Sequence, residues 1–264
     1  MAEEVRATGI VVERGRGTPM VFLHGYPLNH EMWMPLLETL PEATQAILLD
    51  LPGYGLESEE AVPETLAGFA DGVYRVLSER VREPAWVVGH SFGGYIALQL
   101  YRDHPELFRG LVLTNTRSGA DSPEGREKRL ATVRRLEDPA QTLDLDATAR
   151  GLLAPATWAA GGQVVETTRS MVRAARTPAI RGSLRAMAGR PDLTPVLGTI
   201  RVPSLVIWGE EDQLIPPAET KSMVAQIPRA RGQGIPEAGH LPSLEAPDAF
   251  SNELRKLVGR RPKR

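Results

Sequence analysis

Short apolar runs alternate with segments of helical periodicity along most of this 264-residue chain. Continuous apolar runs of this kind are typical of strands that are buried on both faces of a sheet. Strands that alternate with helices are joined by crossover connections and pair in parallel. The sequence therefore predicts an α/β fold with a mostly parallel central sheet flanked by helices on both faces. The predicted strands are TGIVVE, MVFLH, QAILLD, AWVVGH, GLVLTNT and SLVIWG, with a weaker one in ARGQGIPEAG.

The alternation stops after the fifth predicted strand. Residues 119–192 contain no strand-like run and are rich in Arg, Ala, Glu, Asp and Pro, which indicates a helical insertion. A chain of this length often forms one α/β core that carries an insertion. We predict a core domain made of residues 1–117 and 195–264, with a helical insertion between them at residues 118–194.

Composition limits the chemistry that is open to the chain. It has 42% hydrophobic and 24% charged residues with a net charge of −2, which provides no basic field for nucleic acid. It has no cysteine, which excludes disulfides, thiolate metal sites and cysteine nucleophiles. We expect a small-molecule ligand and no metal or organic cofactor, since neither a dinucleotide fingerprint nor the zinc motif H-E-x-x-H occurs.

The ends of the chain carry little sign of targeting. The N-terminal segment MAEEVRATGIVVERG is acidic where a signal peptide is basic, and no apolar run approaches the ~18 residues that span a bilayer. We therefore expect a cytoplasmic protein without membrane contact. The C-terminal GRRPKR is predicted to be a frayed tail. Whether the protein forms a homo-oligomer is left open.

The stretch AWVVGHSFGGYIALQL changes its periodicity at Ser91, between a predicted strand and a predicted helix. Gly89, Ser91 and Gly93 form the pattern G-x-S-x-G, which in this context holds a serine on a sharp strand-to-helix turn. Side chains at the two glycine positions would collide with the neighbouring helix or strand. The alternative is a glycine-rich turn with an incidental serine. The flanking strand and helix favour Ser91 as a nucleophile.

A serine nucleophile needs a base to take its proton. Of the five histidines, we expect His240 to be the base, because it follows the last predicted strand directly and stands beside a glycine. Its alternative role is that of a histidine in a helix-capping loop. The remaining histidines are predicted in the first loop, at two helix ends and beside Ser91 in its turn: His24, His30, His104 and His90.

The base in turn needs an acid that orients it. Asp212 is the predicted acid, because it lies in the loop after SLVIWG and before Pro216. A carboxylate at this place is also favoured by the dipole of the following helix, a structural role that is compatible with catalysis. Glu210 and Glu211 are neighbouring carboxylates, and Asp121 is a weaker alternative after the preceding strand.

Five stretches of the chain together resemble the α/β-hydrolase superfamily, in particular its branch of small esterases, 3-oxoadipate enol-lactonases and non-haem haloperoxidases. The order serine, acid, histidine along the chain is the order of that fold. The resemblance implies that Ser91 is the nucleophile, that His240 acts as base and then as acid, and that Asp212 fixes the tautomer of His240. The stretches are FLHGYP, LDLPGYG, VVGHSFGGYIAL, VPSLVIWGEEDQLIPP and AGHLPSLEAPDAF.

The same resemblance implies an oxyanion hole formed by two backbone N–H groups. One belongs to Phe92, next to the nucleophile. The other belongs to Tyr26, because the following Pro27 has no N–H. His24 and Asp50 match positions that hold loops in place and are not expected to be catalytic.

The resemblance implies a serine hydrolase that cleaves carboxylic esters or lactones through an acyl-enzyme. Serine in place of aspartate at the nucleophile position argues against a haloalkane dehalogenase. Three alternatives remain open at this stage: an enol-lactonase or C–C bond hydrolase, a perhydrolase or haloperoxidase side activity, and a ligand-binding protein with slow turnover.

The resemblance implies that the helical insertion at residues 118–194 is a cap over the site, which puts the substrate pocket between the core and this cap. Apolar side chains of the cap are expected to pack mostly within the cap and onto the core. Arg117, near a strand end, could reach an acidic substrate. The pocket is predicted to include Trp33, Trp158, Leu214 and Leu241, together with Phe92.

Overall fold

The structure is a computed structural model that describes residues 10–41, 43–55 and 61–258. The strands are β1 (Ile10–Arg14), β2 (Thr18–Leu23), β3 (Thr44–Leu49), β4 (Ala85–His90), β5 (Phe108–Thr114), β6 (Ser204–Gly209) and β7 (Ala230–Ile235). Within the described residues they form one sheet in the order β1-β3-β2-β4-β5-β6-β7. Strand β1 pairs antiparallel with β3, and every other neighbouring pair is parallel. The predicted mostly parallel sheet is confirmed.

The helices between and after these strands are α1 (Leu66–Arg80), α2 (Phe92–Asp103), α3 (Pro123–Arg135), α4 (Leu145–Gly151), α5 (Pro155–Ala160), α6 (Gln163–Ala174), α7 (Thr177–Ala188), α8 (Thr194–Leu197), α9 (Pro217–Gln226), α10 (Pro242–Glu245) and α11 (Pro247–Val258). Short 3₁₀-helices span His30–Leu36 and Pro105–Leu107. None of the helices in the described part of the chain is both long and apolar enough to cross a bilayer.

Both faces of the sheet are buried. Along β2, Val21 and Leu23 belong to a core cluster that includes apolar side chains of α1 and α2. Met20 and Phe22, which alternate with them, belong to a second cluster that includes α11 and the first 3₁₀-helix. Because successive side chains of a strand point to opposite faces, burial of both faces requires an unbroken apolar run. This is the pattern that the sequence carries.

Residues 115–203, all of which the structure describes, contain helices α3–α8 and no strand. Helix α3 packs against α7, and α4 packs against α6. The segment is therefore helical, as its composition indicates. The division of the chain into core and cap at residues 118 and 194 stays a prediction.

The segment EMWMPLLETL carries apolar residues at helical spacing, which predicts an α-helix. It folds instead into a 3₁₀-helix over His30–Leu36. Pro35 lies inside it, where it offers no N–H and disfavours the α conformation of Met34. The start of the first predicted strand and the tail GRRPKR lie outside the described residues.

The parallel register brings four strand ends to one edge of the sheet. Leu23 of β2 lies beside Gly89 of β4, and His90 of β4 lies beside Thr114 of β5. Strands β5 and β6 pair in the same sense. In open α/β sheets ligands bind beyond the carboxyl ends of the strands. The loops that follow β2, β4, β5 and β6 are therefore where a site is expected.

Candidate active site

Ser91 occupies the turn between β4 and α2. Its backbone has φ 50° and ψ −111°, a conformation that residues with a Cβ rarely adopt. Neighbouring groups hold it there: the Ser91 N–H donates to the carbonyl of Thr114 at 2.9 Å, and the Thr116 hydroxyl donates to the Ser91 carbonyl at 2.8 Å. Strained residues of this kind concentrate at functional sites.

Glycines allow the close packing around this turn. A Cβ at Gly89 would lie 2.5 Å from the carbonyl oxygen of Gly93, and a Cβ at Gly93 would collide with the carbonyl oxygen of Leu23. A Cβ at Gly25 would lie 3.2 Å from the Cβ of Ser91. The loop after β2 therefore runs directly alongside Ser91.

His240 and Asp212 form a buried hydrogen-bonded pair. The Nδ1 of His240 lies 2.8 Å from Oδ2 of Asp212, and both side chains are almost fully buried. Asn115 donates from Nδ2 to the same carboxylate oxygen at 2.7 Å. The other oxygen, Oδ1, accepts from the backbone N–H groups of Leu214 at 2.9 Å and Ile215 at 3.1 Å.

These contacts keep the Asp212 carboxylate charged. Burial by itself raises the pKa of Asp212, but the electrostatic interaction and the hydrogen bond with His240 lower it, as do the hydrogen bonds from Asn115 and Ile215. The net result is a pKa of about 2 for Asp212. A charged carboxylate on Nδ1 favours the tautomer of His240 that carries its proton there and leaves Nε2 as an acceptor.

A second carboxylate, Glu245, holds the loop that carries His240. Its Oε1 accepts from the N–H groups of Gly239 at 2.9 Å and Leu241 at 3.3 Å, which flank His240 on both sides. Its Oε2 accepts from the N–H of Ala154 at 2.8 Å. Burial raises the pKa of Glu245, although these hydrogen bonds oppose the shift. Glu245 therefore joins the His240 loop to the segment between α4 and α5.

His90 packs beside this pair without hydrogen bonds of its own. Its ring centroid lies 4.8 Å from that of His240 and 6.2 Å from that of Trp33, both in edge-on geometry. Neither ring nitrogen has a hydrogen-bond partner among the described residues. Burial holds the pKa of His90 well below its usual range, and the nearby charge of His240 lowers it further. His90 is therefore a neutral packing partner of His240.

His24 ties two loops of the site together. Its Nδ1 lies 2.9 Å from the carbonyl of Gly25, and its Nε2 accepts from the N–H of Leu51 at 2.9 Å. Burial lowers the pKa of His24, so it is neutral and can donate at one nitrogen while it accepts at the other. The loop that carries Tyr26 is thereby anchored to the loop after β3. Asp50 in that loop binds His30, which is the loop-holding type of role that the sequence suggests.

The two N–H groups of the predicted oxyanion hole belong to residues close in the chain to Ser91 and to Gly25. Phe92 is the first residue of α2, where a backbone N–H has no partner inside its own helix. Tyr26 follows Gly25, where an added Cβ would lie 3.2 Å from the Cβ of Ser91. The assignment of these two groups to an oxyanion hole stays a prediction.

A cavity of about 490 Å³ opens above Ser91 and His240. The backbone N–H of His240 donates to the carbonyl of Leu152 at 3.1 Å, which fixes one wall next to the loop. In the described residues, no group of three or more His, Asp or Glu side chains is arranged to hold a metal ion. The apolar lining consists of Leu143, Leu152, Leu184, Met187, Leu214 and Ile215, and the charged lining of Arg117, Asp121, Lys128 and Arg129.

The residues predicted to form the pocket lie in different places. Leu214 lines the cavity and is half exposed. Trp33 is buried between Phe22 and Phe250, and Leu241 is buried in the same core cluster. Phe92 packs edge-on against Phe69 in the other cluster, and the guanidinium of Arg169 covers the ring of Trp158. Only Leu214 of this set faces the cavity described above.

Asp121, the alternative acid, pairs with arginine side chains instead of His240. Its carboxylate pairs with Arg129 at 2.6 Å and with Arg190 at 2.9 Å. Within the described residues, the carboxylate that meets His240 is that of Asp212.

Two residues of the site were not anticipated from the sequence. Asn115 follows β5 directly, and its position at the strand-end edge is the signal that could have drawn attention to it. It has φ 45°, and its amide bridges Asp212 and the carbonyl of Gly239 at 3.2 Å. Glu245 lies within AGHLPSLEAPDAF, but nothing in that motif indicates which N–H groups it binds.

The chain matches the family model described as the alpha/beta hydrolase fold over residues 18–247. A pimeloyl-[acyl-carrier protein] methyl ester esterase from Xanthomonas campestris pv. campestris is 30% identical over 260 residues, which cover 94% of this chain and 98% of that protein. A dihydrolipoyllysine-residue acetyltransferase component of an acetoin cleaving system from Cupriavidus necator is 28% identical over 93% of this chain. The match spans only 64% of that longer protein.

Solved structures agree with these relatives. A thermophilic esterase from Thermogutta terrifontis superposes with a TM-score of 0.89 at 29% identity, covering 98% of this chain and 97% of that one. The enol-lactonase from Burkholderia xenovorans has a TM-score of 0.84 at 22% identity, covering 98% of this chain and 100% of that one. The second likeness concerns the fold alone. The neighbours come from the branch that the sequence motifs resemble.

Proposed function

The chain belongs to the α/β-hydrolase fold family, and we propose that it hydrolyses carboxylic esters or lactones through an acyl-enzyme formed on Ser91. The observation that carries most weight is the buried pair of His240 and Asp212, whose histidine lines the same cavity as Ser91. A serine on a strained turn, a histidine of defined tautomer and a charged carboxylate are the three groups that this chemistry requires.

In the proposed first half-reaction, the Ser91 hydroxyl oxygen attacks the ester carbonyl carbon while Nε2 of His240 takes its proton. Asp212 stabilises the imidazolium that results. The oxyanion of the tetrahedral intermediate accepts hydrogen bonds from the N–H groups of Tyr26 and Phe92. When the intermediate collapses, His240 returns the proton to the leaving alcohol, and the acyl group remains on Ser91.

In the second half-reaction, a water molecule attacks the acyl carbon and gives its proton to His240. The same two N–H groups receive the second oxyanion. Collapse of this intermediate breaks the bond to Ser91, which recovers its proton from His240, and the carboxylic acid is released. Each step moves a proton between His240 and an oxygen atom, so Asp212 remains ionised throughout, in keeping with its low pKa.

The helices between β5 and β6 are proposed to act as the cap of this site. Leu143, Leu152, Leu184 and Met187 of this segment line the cavity and would exclude water from the bound ester. The similarity to the esterases of Xanthomonas campestris and Thermogutta terrifontis supports an ester as the substrate of this chain. The enol-lactonase supports the fold alone, so a lactone is a second substrate class to be tested beside esters.

The test is a panel of p-nitrophenyl esters of graded chain length together with simple lactones. We expect multiple turnover on at least one substrate and loss of about 10³-fold or more in kcat for Ser91→Ala. Ser78→Ala is a matched control, because Ser78 is an exposed serine whose hydroxyl binds its own helix. Wild-type rates in Ser91→Ala would refute the mechanism. A single turnover with no further release would favour a ligand-binding protein instead.

A further inference from the structure

The cavity above Ser91 has one strongly cationic end. Arg117, Lys128 and Arg129 line it together with a single acidic residue, Asp121. Arg117 follows Thr116, whose hydroxyl binds the carbonyl of Ser91, so this end of the cavity begins close to the nucleophile. Lys128 and Arg129 come from α3, on the side of the cavity formed by the segment between β5 and β6.

The nearby carboxylates do not balance these cations. Asp121 is shared by Arg129 at 2.6 Å, by the fully buried Arg190 at 2.9 Å and by Arg117 at 3.7 Å. Glu219 binds Arg117 at 3.0 Å. Four cationic side chains, counting Lys128, therefore surround two carboxylates. This part of the site attracts anions although the protein as a whole has a net charge of −2.

Several donors at this end remain available to a ligand. The ammonium group of Lys128 forms no ion pair with any described residue. Arg129 uses Nε for Asp121, and its two terminal nitrogens have no hydrogen bond within the described part of the chain. A planar guanidinium and an ammonium that line the same cavity can each bind a carboxylate through charge-assisted hydrogen bonds.

Most of the other side chains that line the cavity are apolar. They include Leu143, Leu184, Met187, Leu214 and Ile215. A ligand that fits both parts carries a short aliphatic chain next to its ester group and an anion at the other end of that chain. A carboxylate is ionised at neutral pH, and its planar pair of oxygens matches the donors of a guanidinium.

We propose that the substrate is an ester with a free carboxylate on a short aliphatic chain, such as the half-ester of a dicarboxylic acid, bound through Lys128 and Arg129. The proposal rests on the proposed ester hydrolysis at Ser91. It adds a specificity subsite to that reaction, in which Arg117, held by Glu219, contributes its charge to the field.

The test compares monomethyl adipate with methyl hexanoate, which has a methyl group in place of the remote carboxylate. We expect wild-type kcat/KM to be about tenfold higher for monomethyl adipate. The ratio of the two kcat/KM values should fall about fivefold in Lys128→Gln, since two charges about 4 Å apart in water interact by about 1 kcal/mol. It should fall further in Lys128→Glu. Arg126→Gln removes the same charge from an exposed position of α3 outside the cavity and should leave both rates unchanged.

A ratio at or below one in the wild type would overturn the subsite while leaving ester hydrolysis intact, as would an unchanged ratio in both Lys128 variants. If neither methyl ester is hydrolysed, the panel of p-nitrophenyl esters and lactones decides the proposed function. Calorimetric titration of monomethyl adipate into Ser91→Ala, with and without Lys128→Gln, then decides the subsite. Binding that weakens about fivefold on loss of Lys128 supports it, and equal or undetectable binding refutes it.

Discussion

Ser91 illustrates how a single backbone conformation is imposed by its surroundings. A non-glycine residue at φ 50° costs on the order of 1–3 kcal/mol, which the isolated turn would not sustain. Hydrogen bonds to both its N–H and its carbonyl come from the end of β5 and from Thr116. The close approach of Gly25 and Gly93 leaves the turn no room to relax. The G-x-S-x-G pattern could therefore be recognised in the sequence, but its strain is maintained by the neighbouring strands.

Asp212 provides a prediction at the same scale. Its folded-state pKa of about 2 lies below the ordinary value of 3.8, so its ionised form stabilises the fold above about pH 4. This contribution, roughly 2 kcal/mol, is lost as the pH falls from about 4 to about 2. In Asp212→Asn we expect the free energy of unfolding to fall less steeply over that range than in the wild type. Denaturant titrations at several pH values measure the difference.

The Asp212→Asn variant should also lose activity at neutral pH. Asparagine keeps the shape of the side chain but not the charge that fixes the tautomer of His240, and an expected loss in kcat is about 10³- to 10⁴-fold. Parallel pH–stability curves for the variant and the wild type would show that Asp212 is not the group whose pKa is lowered. Wild-type kcat would show that it does not orient His240.

At the scale of elements, the site is assembled by loops that contact one another. The His240 loop is attached to the core by Asn115 and to the segment after α4 by Glu245. The Tyr26 loop is attached to the loop after β3 by His24. Each attachment joins residues that are distant in the chain or that belong to different elements. The precision of the site therefore depends on buried polar contacts rather than on any single element.

Glu245→Gln tests one of these attachments. Glutamine has one acceptor oxygen and one NH₂ group, so it can keep either the bond to Ala154 or the bonds to Gly239 and Leu241, but not both sets. We expect kcat to fall about tenfold with little change in KM, because a small displacement of His240 impairs proton transfer more than binding. Steady-state kinetics and thermal unfolding are the measurements.

Glu166→Gln is the control for this change, since Glu166 is an exposed glutamate of α6 that pairs with Arg169. It should leave kcat and the melting temperature close to wild-type values. If Glu245→Gln matched this control in both measurements, the positioning role of Glu245 would be wrong. A lower melting temperature with normal kcat would assign it to stability alone.

At the scale of the whole molecule, the two ends of the helical segment between β5 and β6 are joined to each other. Ser118 and Thr194 share a hydrogen bond between their hydroxyl groups at 3.0 Å. The N–H of Leu193 donates to the carbonyl of Ser118 at 2.9 Å. Arg190, whose side chain is fully buried, pairs with Asp121 at 2.9 Å. The segment therefore leaves and re-enters the sheet at one place, which lets it cover the strand ends without disturbing their register.

Arg190→Gln should show how much this junction contributes to stability. Removal of one partner of a buried ion pair leaves the other charge uncompensated, although Arg129 also contacts Asp121. We expect a loss of about 2 kcal/mol, and the double variant Arg190→Gln with Asp121→Asn should be less destabilised than the two separate losses would give together. Thermal or denaturant unfolding gives the values, with the exposed Arg126→Gln as control. A melting temperature equal to that of the wild type would contradict the assignment.

Much of the fold was predictable because its signals are local. The runs AWVVGH and SLVIWG coincide with β4 and β6 residue for residue, since burial on both faces leaves an unbroken apolar run that loops delimit. The helical nature of residues 119–192 followed from the lack of such runs. The 3₁₀ geometry of His30–Leu36 was missed, because a proline that ends an α-helix is compatible with several continuations.

The sequence by itself determined the type of sheet, the strand-to-helix turn at Ser91 and a short set of residues able to act with it. Only the tertiary structure decided which of them meet: Asp212, and not Asp121, binds His240, and Leu214, and not Trp33, faces the cavity. Strand periodicity is a property of consecutive residues, whereas contacts between loops depend on register and packing across the sheet. The cationic end of the cavity also depends on tertiary contacts, because it combines a residue after the end of β5 with residues on one face of α3.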